Sequence, residues 1–155
     1  MSDQIFPVPP QVAAGALVDA AKYRALYEAA QADPSAFWLK ESARIDWIKP
    51  PTKGKNASFE GNVSIKWFED GVLNASASCL DRHAAAHGDR TAIIWEGDNP
   101  ADSKHVSYRD LHEQVCRLAN AMKALGAKKG DRVTIYLPMV PEAAVAMLAC
   151  ARIGA

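Results

Sequence analysis

The side chains best spaced for chemistry are thiols and imidazoles. Cys79, His83 and His87 recur at i, i+4 and i+8, and His112 and Cys116 at i and i+4. On helices each set shares one face. Thiolate and imidazole ligands suit zinc, and two such faces could together supply four of them. The spacing itself argues against this, because short zinc motifs gather their ligands through turns. The reading adopted is a half-buried cysteine beside solvated histidines, with no metal site.

A second candidate is Leu137-Pro-Met-Val-Pro141, placed between a strand and a helix. Ligands of open α/β sheets collect beyond the carboxyl ends of strands, and helix N-termini favour anions. Glu142 already puts a negative charge there. The segment therefore reads first as a proline-stiffened loop and second as one wall of a ligand site. Lys53, Lys55 and Lys66 are scattered among acidic residues and read as solvated surface. No phosphate-binding Gly-x-x-x-x-Gly-Lys-Ser/Thr, no Gly-x-Gly-x-x-Gly and no Gly-x-Ser-x-Gly elbow occurs. The residues thus assign no catalytic, cofactor-binding or metal position.

The elements around these residues are legible. The first 17 residues, with prolines at 7, 9 and 10, read as a mobile N-terminal arm. A helix is expected from about Val18 to Ala32, with Tyr23, Leu26, Tyr27 and Ala30 on one face. Asp33-Pro34 caps and opens a second helix to about Ala43, whose Phe37 and Trp38 should pack on the first. Pro50 to Asn56 reads as a loop. Asn62 to Phe68 alternates like a half-buried strand, and Glu69-Asp70-Gly71 marks a turn. Asn74 caps a third helix from about Ala75 to Ala86, ended by Gly88.

Beyond Gly88 the order becomes strand (Thr91–Glu96), strand (Lys104–Ser107), helix, strand (Arg132–Leu137), helix (Pro141 to about Ile153). Ser107 with Asp110 resembles a capping box. The helix it opens carries Leu111, Val115, Leu118, Met122 and Leu125 on one stripe and ends at Gly126. Strands alternating with helices imply an α/β domain with a parallel or mixed sheet.

The last helix is apolar nearly all round and belongs inside a larger core. A further strand is due after it. The chain therefore reads as truncated, with self-association through the truncated sheet edge and the C-terminal helix as a further expectation.

Composition bounds the rest. The 155 residues carry 18 Lys plus Arg and 18 Asp plus Glu, for zero formal net charge. That argues against nucleic-acid binding. The longest apolar-rich stretch, Val140 to Ala155, is interrupted by Pro141, Glu142 and Arg152 and falls short of the roughly 20 residues of a membrane span. The N-terminus has no basic region before an apolar run, so a secretory signal is not expected. Three cysteines without a close pair read as reduced thiols in a cytoplasmic protein.

Four runs carry a family resemblance: Asn62-Val-Ser-Ile-Lys-Trp-Phe-Glu-Asp-Gly71, Cys79-Leu-Asp-Arg-His83, Gly88-Asp-Arg-Thr-Ala-Ile-Ile-Trp-Glu-Gly97, and Pro138 through Gly154. Together they resemble the start of AMP-forming acetyl-CoA synthetases. Ser107-Tyr-Arg-Asp-Leu111 and Gly130-Asp-Arg-Val133 are shared more loosely with acyl-adenylate-forming enzymes in general.

The resemblance implies a reaction in two steps. ATP and acetate give acetyl-adenylate and pyrophosphate with Mg²⁺ on the phosphates, and the thiol of CoA then displaces AMP. It also implies an N-terminal extension over residues 18–82 and the beginning of an AMP-binding domain over 83–155. The family's phosphate loop, adenine and ribose contacts, hinge and catalytic lysine fall after Ala155. The fragment alone is therefore expected to hold no cofactor and to be inactive. Two alternatives remain: a non-catalytic oligomerisation or binding module, and a parent ligase preferring propionate.

Overall fold

A computed structural model describes residues 6–155. They fall into two compact units, each treated by itself: one runs up to Ala43 and includes Pro51–Asp70, the other joins Arg44–Pro50 to Gly71–Ala155.

The first unit opens with a short helix, α1 (Pro10–Gly15), all of whose residues are exposed. The sequence led instead to an extended arm here. Pro10 sits in the first turn, where a missing N–H costs nothing, and Ala13 and Ala14 are good helix formers. The arm's first five residues lie outside the described ones. Helix α2 (Ala20–Ala32) starts at Asp19, whose carboxylate accepts from the Lys22 N–H. Asp33 then caps α3 (Pro34–Glu41) by accepting from the Ala36 N–H, and a single 3₁₀ turn, Ser42–Arg44, follows.

Strand β1 (Lys55–Ser58) pairs antiparallel with β2 (Ser64–Trp67), Lys55 opposite Trp67. The sequence reading took β1's first residues as loop, since they lack apolar alternation; pairing with β2 overrides propensity. All four residues of β2 are exposed, so its apolar alternation does not mark a buried face here. Trp38 meets Trp67 edge-on at 6.4 Å, while Tyr23 and Tyr27 of α2 stack on each other. Trp38 thus also has a partner in the strand pair, besides the expected packing of α3 on α2.

In the second unit Asn74 caps a helical run by accepting from the Ala77 N–H at 3.1 Å. The run widens into a π-turn stretch, Ala77–Asp81, before continuing as α4 (Arg82–His87). Strands β3 (Thr91–Glu96) and β4 (Ser103–Ser107) form an antiparallel hairpin with a bulge between Thr91 and Ile93. Helix α5 (Tyr108–Ala124) begins where Ser107 accepts from the Asp110 N–H. The Ser107 hydroxyl donates to the Asp110 carboxylate at 2.6 Å, so the shorter Asp serves as acceptor for the capping serine. Helix α6 (Pro141–Ile153) ends at Gly154, whose left-handed φ of 79° suits glycine.

The core is small and follows helical spacing. Leu111, Val115 and Ala119 of α5 face Val145 and Ala149 of α6, and Leu80 closes the cluster. Val115 and Ala149 are fully buried. Leu118 and Met122 pack against this stripe, but Leu125, expected to extend it, is 90% exposed because α5 has already ended. Met147 of the nearly all-apolar α6 is likewise exposed.

One element differs from the sequence reading. Arg132–Leu137 forms no strand: no described residue pairs with it. It lines an apolar groove beside Leu118 and Met122 of α5 and Ala146 and Cys150 of α6. A strand requires a ladder partner as well as alternation, and both pairs formed among the described residues are antiparallel hairpins. The chain remains an α/β protein, with the strand-strand-helix portion and the final helix in place.

Candidate functional site

The titratable side chains of the second unit converge around Asp81, at the end of the π-turn stretch. Its carboxylate accepts two hydrogen bonds from the Arg152 guanidinium, both at 2.8 Å, and one contact from His112 Nε2 at 3.3 Å. The Arg152 hydrogen bonds hold the Asp81 carboxyl below its ordinary 3.8, against the opposing effect of partial burial, with His112 adding to the lowering. Asp81 reciprocally pushes Arg152 upward. Asn74 adds a second tie: its amide donates to the Ala151 and Arg152 carbonyls at the end of α6. Asp81 and Asn74 thus hold α6 to the helical run 75–87, and His112 brings in α5.

His112 and Cys116 meet as their i, i+4 spacing implies, with Sγ 3.7 Å from Nε2. The same Nε2 also faces Asp81 and lies 3.4 Å from Arg152. A thiol–imidazole dyad uses one ring nitrogen for the thiol and the other for an orienting partner. Here three groups share one nitrogen, so the arrangement reads as a structural tie. The other thiol–imidazole set does not assemble. Cys79 lies exposed within the wide turn, which breaks the α-helical spacing assumed for it. His83 instead accepts from Arg82 and meets the Tyr108 ring at a tilt, centroids 5.1 Å apart. Among the described residues no three His, Cys, Asp or Glu side chains gather as they would around a metal ion.

At the other candidate, the Trp95 indole of β3 donates to the Met139 carbonyl at 2.8 Å and pins the Leu137–Pro141 loop to the hairpin. An open pocket of about 740 Å³ lies between them. Its charged lining groups are Glu96, Asp98 and Asp102. The residue before α6, Val140, contributes no side-chain cap. Three carboxylates outweigh the half-charge of one helix N-terminus, so this pocket disfavours the anion suggested by its position.

The first unit's ionic contacts are structural too. Lys53 and Lys66 reach Glu69 at 3.4 and 3.9 Å, and Lys55 lies over the Trp67 ring. Asp70 accepts from the Thr52 hydroxyl at 2.5 Å and from the backbone N–H groups of Thr52 and Lys53. These bonds, the hydroxyl's foremost, lower its carboxyl from 3.8 to about 2.

Sequence reasoning missed the Asp81–Arg152 pair, the second role of Asn74 and the Trp95 anchor. Each joins positions 44 or more apart, where no local periodicity reports.

The side chains that meet among the described residues tie helices and loops together. What sets their context is comparison with known proteins. The model for "Acetyl-coenzyme A synthetase N-terminus" matches residues 23–79, and that for "AMP-binding enzyme" matches residues 80–155. An "Acetyl-coenzyme A synthetase" of Methylocella silvestris is 62% identical over 156 aligned residues, spanning 100% of this chain and 24% of that protein. Proteins of the same name from Rhizobium rhizogenes and a Bradyrhizobium species are 63% and 60% identical, with the same shares. The chain belongs to the acetyl-coenzyme A synthetase family. It spans about a quarter of the length of the relatives it matches. No helix among the described residues is long and apolar enough to cross a membrane.

Asp81, His112 and Arg152 all fall in the stretch matched by the AMP-binding model, and the Trp95–Met139 bond does as well.

Proposed function

We propose that this chain is the N-terminal part of an acetate–CoA ligase. The whole protein makes acetyl-CoA from acetate, ATP and CoA through an acetyl-adenylate, releasing AMP and pyrophosphate. Residues 18–82 form its N-terminal extension and 83–155 begin its AMP-binding domain. What carries this reading is about 60% identity along the entire chain to proteins named acetyl-CoA synthetase.

The chemistry explains why so little of it falls here. Adenylation converts a poor carboxylate leaving group into a good one, and the protein's part is positioning and charge neutralisation. Mg²⁺ on the ATP phosphates requires convergent oxygen donors. No such donor set forms among the described residues, so no step through the metal or the nucleotide is assigned to this chain. Its own contribution is rigidity: Asp81, Arg152 and Asn74 fix α6, and Trp95 fixes the loop leading into it. A cytoplasmic location accords with its three free cysteines.

The test is acetate-dependent conversion of ATP to AMP, followed by CoA-dependent release of acetyl-CoA. The polypeptide encoded by the reading frame containing this chain should catalyse both steps, and the 155-residue chain neither. Faster turnover of propionate than of acetate by the longer polypeptide would replace the acetate assignment.

A further inference from the structure

The largest unexplained positive charge lies at the opposite end of the Arg132–Leu137 segment from the acidic pocket. An open cavity of about 590 Å³ sits between the last turn of α5, the following loop and the last turn of α6. Asn120, Lys123, Lys128, Lys129 and Arg152 line it, and no carboxylate does. Asp81 neutralises Arg152. Asp131, the acidic residue nearest in sequence, turns its carboxylate onto the Lys128 backbone N–H. Lys123, Lys128 and Lys129 make no ion pair among the described residues, whereas Lys53 and Lys66 of the first unit both reach Glu69. In a chain of zero formal net charge, three uncompensated ammonium groups in one concavity stand out.

The competing explanation is that these lysines serve the two helix C-termini, which favour cations. The hydrogen bonds argue otherwise. At α5 the Ala121, Met122 and Lys123 carbonyls are taken by the N–H groups of Leu125, Ala127 and Gly126. At α6 the Cys150 carbonyl accepts from Ala155, and Asn74 serves Ala151 and Arg152. No lysine caps these carbonyls. Two helix ends contribute about −0.5 each and the Asp131 carboxylate at the Lys128 N–H one more, which against three lysines leaves an excess of about one positive charge. Three ammonium groups converging on one cavity favour an anion with several oxygens over chloride. Lysine binds phosphate as a mobile point charge, and the Asn120 amide adds a neutral donor.

We propose that this cavity binds a diphosphate group through Lys123, Lys128 and Lys129, with Asn120 as a further donor. The inference does not depend on the ligase reading, since the cavity shares no lining residue with the Trp95–Met139 pocket.

The test is a titration of the isotopically labelled 155-residue chain with sodium pyrophosphate, and in a parallel arm with a nucleoside diphosphate, followed by amide NMR. Saturable shifts at residues 127–130 are expected. Replacing the three lysines (Lys123→Gln, Lys128→Gln and Lys129→Gln) should weaken the apparent affinity about tenfold, a modest sum of exposed charge contributions. All three are exposed, so the fold should survive, and the unchanged spectrum elsewhere checks this. Response to pyrophosphate alone assigns a free diphosphate; response to both assigns the diphosphate moiety of a nucleotide as well. The proposal is overturned if sodium chloride at matched ionic strength reproduces the shifts. It is equally overturned if the triple variant binds unchanged, or if Lys53→Gln, Lys55→Gln and Lys66→Gln together weaken binding as much.

Discussion

Removing the Asp81 carboxylate should loosen α6 from the helical run that carries it. Arg152 keeps 24% of its side chain exposed and Asp81 40%, so the pair is neither a surface bridge nor a buried one. Coulomb attraction at about 4 Å runs from about 1 kcal/mol in bulk water to about 4 kcal/mol at a protein surface. Desolvation and side-chain ordering take back part of that. Exposed pairs measure about 0.2–1 kcal/mol and buried pairs lose about 3–5 kcal/mol when broken. Two well-formed 2.8 Å hydrogen bonds place this pair between them, at about 1.5 kcal/mol of coupling. A double-mutant cycle of Asp81→Asn and Arg152→Gln in urea denaturation isolates that figure. Because the folded carboxyl lies below its ordinary 3.8, the contribution is complete above that value and fades as pH falls through the folded one. Coupling below about 0.5 kcal/mol at neutral pH, or coupling that grows on acidification, would refute the reasoning.

Three further outcomes follow from single side chains. Ser76 is fully buried and its hydroxyl finds no hydrogen-bond partner; Ser76→Ala should therefore stabilise the chain by about 1 kcal/mol in urea denaturation, and a loss of that size would show a hidden partner. Val115 is fully buried at the α5–α6 contact, so Val115→Ala should cost about 2 kcal/mol; a change within about 0.5 kcal/mol would place the core elsewhere. Carbon-detected NMR should find the Asp70 carboxyl titrating near 2, with Thr52→Val moving it up toward 3.8. Its contribution to stability is complete above 3.8 and is lost as pH falls toward 2; a native midpoint at 3.8 would contradict the hydrogen bonding seen at Thr52.

The helix boundaries were the most legible part of this sequence, because caps are local. Asp33 before Pro34, Asn74, Ser107 and Gly154 each act within a few residues, and the structure uses them all. The hairpin of β3 and β4 was legible for a related reason: the Gly-, Pro- and Asp-rich stretch from Gly97 to Ser103 marks the turn between two strands. Arg132–Leu137 shows the limit. Its alternation states a preference, but a ladder needs a partner, and no described residue provides one. The wide turn at Ala77–Asp81 left no mark in the spacing of Cys79 and His83, and it undid the shared face read from them. The His112–Cys116 contact was visible at i, i+4; Asp81 and Arg152, 71 residues apart, were not. Family membership was legible in long ordered runs of sequence, which constrain far more than any one side-chain pair.

The most direct measurement is acetate-dependent AMP formation, run side by side on the 155-residue chain and on the longer polypeptide that contains it. The account predicts AMP, pyrophosphate and, with CoA, acetyl-CoA from the longer polypeptide, and none of these from the chain alone. Acetate-dependent pyrophosphate release by the chain alone, or none by the longer polypeptide, would contradict it.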